Sequence, residues 1–335
     1  MPMDRRRFIK ASAAAAGLFA CSPLSYAREA LKDFPRRPLE LLVAYPAGGG
    51  MDITTRILAK YLEPAADHSV LVVNRAGASG LIGHTWFTTQ AEPDGHTMGV
   101  FASNFWQDSF FRAEGRWTHK DVTPLAFVNY DPVTWIVSTR GRFAQADLTD
   151  VIDTARREPG TVKVAASTST STAFTLDQVA EYSGVDFLAV AYQGGRHALT
   201  DLLGGHIDVS YGYLGEYRSQ LEAGEVRVLA TTSAQRLPAL PEVPTFNEIL
   251  GREDILWDAF RFVCVPARTP QSRKEWLTHA LRKALAEPGI AEEYARLGAT
   301  MDPKLNEPGR LAEEFARRSS LEYDFFIKTG RLKPA

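Results

Sequence analysis

Short, β-branched apolar runs, each leading into a segment of helical periodicity, recur through most of this chain, and that alternation restricts its fold more than any other feature. Strand patterns fall at 39–45, 70–74, 97–102, 134–138, 162–166, 187–192, 207–211, 226–231 and 260–265. Several are apolar almost throughout, as strands covered on both faces are. Helical patterns lie near 53–63, 147–157, 173–183, 196–203 and 215–223. Such alternation gives α/β layers on mainly parallel sheets. The C-terminal stretch is helical instead. Thr269-Pro270 supplies a cap and a first-turn proline, and Trp276, Leu277, Ala280, Leu281, Ala284 and Leu285 follow at helical spacing. Gly298 closes a second helix, and a third, starting at Glu307-Pro308, carries Leu311, Phe315 and Phe325. These stripes are core faces. The clearest irregular connection is the proline-rich stretch 237–244, and Asp131-Pro132 is a weaker one.

The N-terminal residues have a different character. Arg5-Arg6-Arg7-Phe8-Ile9-Lys10 precedes an apolar run over 11–24, too short to cross a bilayer as a helix. Arg5-Arg6-x-Phe8-Ile9-Lys10 fits the twin-arginine export pattern, with Asp4 where Ser or Thr is usual; an ordinary basic Sec signal is the alternative. Ser25-Tyr26-Ala27 is a small-x-small cleavage site, so 1–27 reads as an export signal and the mature chain as extracytoplasmic, in the periplasm. Leu18-Phe19-Ala20-Cys21 competes as a lipobox that would acylate Cys21, although the bulky Phe19 suits it poorly. The whole chain has 38 Lys and Arg against 40 Asp and Glu, and removing the basic leader makes the remainder more acidic. That charge argues against a generally basic nucleic-acid binder. After cleavage at Ala27 only Cys264 remains, inside an apolar run, which suits a buried thiol and leaves no intrachain disulfide.

Two glycine loops follow strand patterns. Tyr45-Pro46-Ala47-Gly48-Gly49-Gly50-Met51-Asp52 leads into a helix with Ile53, Ile57, Leu58 and Leu62. Its glycines let a ligand approach the main chain, and free amides at a helix start favour a carboxylate or phosphate. Asp52 is expected as the N-cap. A tight strand-to-helix turn would use the same residues. The second loop, Asn74-Arg75-Ala76-Gly77-Ala78-Ser79-Gly80, places Arg75 where it can meet an anion or form a surface ion pair. Neither loop has P-loop or dinucleotide spacing. Further on, the hydroxyl run 167–172 and Tyr192-Gln193-Gly194-Gly195 also sit between strand and helix patterns, and open α/β sheets bind ligands at such places.

In order and spacing, Pro46-Ala47-Gly48-Gly49-Gly50, Val73-Asn74-Arg75-Ala76-Gly77, Pro93-Asp94-Gly95-His96-Thr97, Tyr192-Gln193-Gly194-Gly195, Asp201-Leu202-Leu203-Gly204-Gly205 and Pro241-Glu242-Val243-Pro244-Thr245 resemble the Bug-type solute-binding proteins, extracytoplasmic receptors of tripartite tricarboxylate transporters. The resemblance implies a two-lobed, type II-like periplasmic binding protein closing on a ligand. Lobe 1 would be discontinuous, 28–130 plus 252–335, and lobe 2 would span 131–251. It implies a small anionic, carboxylate-bearing solute held near Tyr45, Ala47, Gly48, Gly49 and Asp52, with Ser103 and Asn104 beside them and Ser169, Thr170 and Tyr192 opposite. The implied partner is a membrane permease; no cofactor, metal or nucleic acid is implied. There are departures: Met51 replaces a common Thr, 167–172 lacks the usual Gly-x-Gly-Ser, and Phe174 lies near a common His. Phe105 and Trp106 either wall the cleft, suggesting a solute with an aromatic or apolar body, or belong to the core.

Three classes of function compete. Solute capture for transport is the leading reading, by hinged closure of two lobes. A receptor that docks on a sensor-kinase ectodomain would use the same closed lobes. An exported hydrolase is the remote alternative, since neither a Gly-x-Ser-x-Gly elbow nor a His-Glu-x-x-His pair occurs and the seven histidines are scattered, so no catalytic residue is assigned.

Overall fold

A computed structural model describes residues 34–167, 171–328 and 330–333. The expected export signal at 1–27, including Cys21, lies outside the described residues, as do Ser169 and Thr170. The chain opens with β1 (Leu39–Val43), α1 (Gly50–Ala66), β2 (Val70–Asn74), α2 (Leu81–Gln90), β3 (Thr97–Phe101), α3 (Asn104–Phe111) and β4 (Val122–Pro132). A second series follows: β5 (Thr134–Ser138), α4 (Leu148–Arg157), β6 (Lys163–Ala166), α5 (Ser171–Ser183), β7 (Leu188–Ala191) and α6 (Gly195–Leu203). It continues through β8 (Ser210–Gly212), α7 (Leu214–Glu222), β9 (Val226–Thr231) and α8 (Phe246–Leu250). The chain then returns in β10 (Asp258–Pro266) and ends in α9 (Gln271–Leu285), α10 (Pro288–Arg296) and α11 (Arg310–Lys328).

The first sheet has the order β2-β1-β3-β10-β4. β1 is parallel to β2 and β3, whereas β10 is antiparallel to β3 and β4. In the second lobe β6 and β7 pair in parallel, and β8-β5-β9 is antiparallel throughout, with a bridge between Val164 and Val209 joining the two groups. The expectation of mainly parallel sheets is therefore corrected. A strand leaving a lobe and the strand returning to it run in opposite senses when they lie side by side, as β4 and β10 do. The segment 122–132 carries no strand pattern in sequence because Pro124, Asn129 and the Asp131-Pro132 pair interrupt it. Pro124 pairs with Cys264 at a register shift between Val263 and Cys264 of β10, the kind of irregularity at which a strand tolerates proline. Asp131-Pro132, expected as an irregular connection, is the end of β4.

Burial explains the elements. Every residue of β3 is buried, and α1 sends Met51, Leu58 and Leu62 into the core shared with Leu277 and Leu281 of α9 and Ile290 and Tyr294 of α10. On the other face of the first sheet, Phe101, Phe105, Trp106, Trp117, Phe260 and Phe262 form an aromatic core. Phe105 stacks on Trp117 at 5.0 Å between ring centres and Trp106 on Phe262 at 6.0 Å, both fully buried. These two residues are core, and the suggestion of an apolar solute body loses its basis. A third core fills the second lobe around Trp135, Val164, Tyr217 and Phe246. α11 spans both lobes: Leu311 and Phe315 pack in the aromatic core, Phe326 in the second-lobe core. Cys264 is buried in β10, and that burial pushes its thiol pKa well up.

Candidate functional site

The turn between β1 and α1 is built by one carboxylate. Gly48 has φ +79°, a left-handed conformation that favours glycine, and its N–H donates to Asp52 Oδ2 at 2.8 Å. Asp52 also accepts from Arg56 Nε at 2.9 Å and from Asn74 Nδ2 at 3.0 Å, which ties the second glycine loop to the first. Burial acts to raise the Asp52 pKa, but the bonds from Arg56, Gly48 and Asn74 outweigh it and hold the carboxyl below its usual range. The N-cap of α1 is Gly49, not Asp52 as expected. Asp52 sits one turn inside and reaches back to the Gly48 amide.

Tyr45 and Asn104 form the next layer. Asn104 Nδ2 donates to the Tyr45 hydroxyl at 2.6 Å, and that hydroxyl donates to the Ser79 carbonyl at 3.1 Å. Burial pushes the Tyr45 phenol pKa well up, so it remains a neutral donor. Ser103 of the first lobe and Ser171 of the second both donate to the carbonyl of Asp258, at 3.1 and 3.0 Å, where β10 re-enters the first sheet.

Between these parts lies a cleft with an open mouth. Its first-lobe wall includes Tyr45, Ala47, Gly49, Gly50, Ser103 and Asn104, and its second-lobe wall includes Ser167, Ser171, Thr172, Tyr211 and Tyr213. Three charged side chains enter it: Arg196, Glu216 and Arg261. Glu216 Oε1 accepts the N–H of Gly50, the first residue of α1, at 2.7 Å, and Oε2 accepts the N–H of Tyr213 at 3.2 Å. Burial raises the Glu216 pKa against the pull of those amides and of Arg261 and Arg196. Arg261, 1% exposed, donates to Thr54 Oγ1 at 2.7 Å and lies 2.6 Å from Asp131 Oδ2, while its Nε has no hydrogen-bond partner. Burial pushes the Asp131 carboxyl up to about 6 despite that arginine.

A family model described as the tripartite tricarboxylate transporter family receptor matches residues 54–320. The chain belongs to that receptor family. A curated relative, the UPF0065 protein in the tcbD-tcbE intergenic region of Pseudomonas sp. (strain P51), is 33% identical over 273 residues, 80% of each chain. Among solved structures, the periplasmic binding protein BugD superposes with a TM-score of 0.82 at 26% identity, covering 90% of this chain and all of that one. R. palustris Rpa4515, solved with adipate, superposes with a TM-score of 0.79 at 24% identity, covering 90% of this chain and 100% of that one, and shows the shared fold. This receptor is a two-lobed α/β solute-binding protein of the Bug type.

In this family receptor the sequence-named residues take different places. Tyr45, Ala47, Gly49, Ser103 and Asn104 line the cleft. Gly48 and Asp52 lie beneath it, the first against Arg196 and the second holding the loop. Tyr192 is not among the residues lining the cleft; its hydroxyl donates to Asp201 at 2.6 Å, and burial with that bond pushes its pKa up to about 12. Arg75 stacks over the Trp86 ring at 4.0 Å. Sequence reasoning missed Arg196, Tyr213, Glu216 and Arg261. Arg261 had a readable sign, a lone charge in the apolar run Phe260 to Val265. Glu216 had none, because a glutamate in the first turn of a helix is commonplace. Among the described residues no helix is long and apolar enough to cross a membrane.

Proposed function

We propose that this receptor captures a small carboxylate-bearing solute in the cleft between its lobes and delivers it to a membrane permease of the tripartite type. The observation that carries the reading is the convergence of the main chain of Ala47 and Gly49 and the Arg196 guanidinium on one cleft between the lobes, beside the α1 N-terminus whose first amide Glu216 holds. Helix-start amides and a guanidinium are complementary to a carboxylate. The adipate in the structurally similar Rpa4515 supports the same ligand class.

Lobe 1 is proposed to comprise residues 28–132 and 258 onward, and lobe 2 the residues between, so that each boundary falls a few residues later than those expected at 130/131 and 251/252. Sheet membership changes at those points, and Ile255 and Trp257 pack in the second-lobe core. Closure would bring the second-lobe hydroxyls over a solute seated at the glycine loop, excluding water and strengthening each polar contact. The twin-arginine pattern at Arg5-Arg6 supports delivery of the mature chain to the periplasm.

Thermal or chemical unfolding with a panel of mono-, di- and tricarboxylates tests the proposal. A bound solute at 100 times its Kd adds about 2.7 kcal/mol of stability. A panel that leaves the unfolding transition unchanged throughout overturns it.

A further inference from the structure

Resting on that reading, we propose that Glu216 sets the charge selectivity of the cleft: it holds the amide at the head of α1, so the receptor takes a solute with one carboxylate and a hydrogen-bond donor facing Glu216, and rejects dicarboxylates. The Glu216 seat is built, not incidental. Its two oxygens accept N–H bonds from Gly50 of the first lobe and Tyr213 of the second, at 2.7 and 3.2 Å. A methyl group on Gly195, at the start of α6, would come within 2.3 Å of Oε2, so the carboxylate also lies against a second helix N-terminus. Acceptance at both oxygens is the pattern of an ionised carboxylate.

Charge balance then restricts the solute. The arginines lining the cleft are Arg261 and Arg196, with His197 beside Arg196. Arg261 already has Asp131 at 2.6 Å. Arg196 lies over the glycine loop, its Nη2 2.6 Å from where a Cβ on Gly48 would stand. Arg196 is thus the cation placed to meet one solute carboxylate, while it also acts on Glu216. A second would face Glu216 with neither arginine free to offset it, and like charges repel as closure of the cleft excludes water. A hydroxyl or ammonium in that position instead donates to Glu216.

Calorimetric titration of the purified receptor and its Glu216→Gln variant with matched ladders of solutes tests this. One ladder is adipate, 6-hydroxyhexanoate and 6-aminohexanoate; the shorter is succinate, 4-hydroxybutyrate and 4-aminobutyrate. The wild-type receptor is expected to bind a donor-bearing monocarboxylate at least tenfold more tightly than the dicarboxylate of the same ladder. Glu216→Gln is expected to shift that ratio at least tenfold toward the dicarboxylate. Equal or tighter wild-type binding of the dicarboxylate, or an unchanged ratio in the variant, overturns the selectivity role while leaving carboxylate capture standing. Absence of binding by every solute in both proteins overturns carboxylate capture and this inference together. The wild-type ratio is decisive by itself if the variant fails to fold.

Discussion

The amide of Gly48 donates to the Asp52 carboxylate at 2.8 Å, closing the glycine loop over the first turn of α1. Because Asp52 also accepts from Arg56 and Asn74, its removal leaves several polar groups to find new partners. Asp52→Ala is expected to cost about 1–3 kcal/mol of stability and to weaken solute binding by loosening the loop. Urea denaturation and calorimetric titration check both effects, and an unchanged affinity would show that the loop holds its shape without Asp52.

At Gly48 itself, φ is +79° and an added Cβ would stand 2.6 Å from Arg196 Nη2. Gly48→Ala is expected to lose about 1–2 kcal/mol from the left-handed backbone and to displace the guanidinium from the loop. Solute affinity should fall at least tenfold, measured by titration at constant salt.

Glu322 of α11 accepts from Trp106 Nε1 at 2.9 Å and Gln107 Nε2 at 2.7 Å, clasping α11 to α3. Burial pushes its pKa up to about 7, against the pull of those bonds, from an ordinary value of 4.5. A carboxyl whose folded pKa is raised favours the folded state fully below its unfolded pKa, and that contribution fades as pH rises through the folded value. Between about pH 4.5 and 7 the wild type is therefore expected to lose up to about 3 kcal/mol from this group, while Glu322→Gln keeps the acceptor and removes that component. Denaturant unfolding at pH 5 and pH 8 tests it: the variant should gain on the wild type at the higher pH, and an identical pH dependence would contradict the assignment.

Trp106 is fully buried against Phe260, Phe262 and Phe315. Trp106→Ala should cost about 3–5 kcal/mol and leave the ranking of solutes unchanged. A changed ranking would return this residue to the cleft.

Much of the architecture was legible because burial imposes simple periods. The β1, β3 and β9 runs and the stripes of α1 and α9 occur close to where apolar spacing placed them. What escaped depended on long-range pairing. β4 is held as a strand by β10 across an interval of more than a hundred residues, although Pro124 and Asp131-Pro132 read as breaks. Phe105 and Trp106 follow Ser103 and Asn104 directly, yet the helix turns them to the opposite face. The glycine loop was readable from composition, but Glu216 reaches Gly50 from 166 positions away, a relation no local pattern carries.

The most direct measurement is the electron density of a crystal of the receptor grown with its tightest-binding carboxylate. The expected result is a carboxylate between the lobes, seated against the main chain of Ala47 and Gly49 and facing Arg196. A solute seated elsewhere, with the glycine loop contacting only Asp52 and Glu216, would contradict the account.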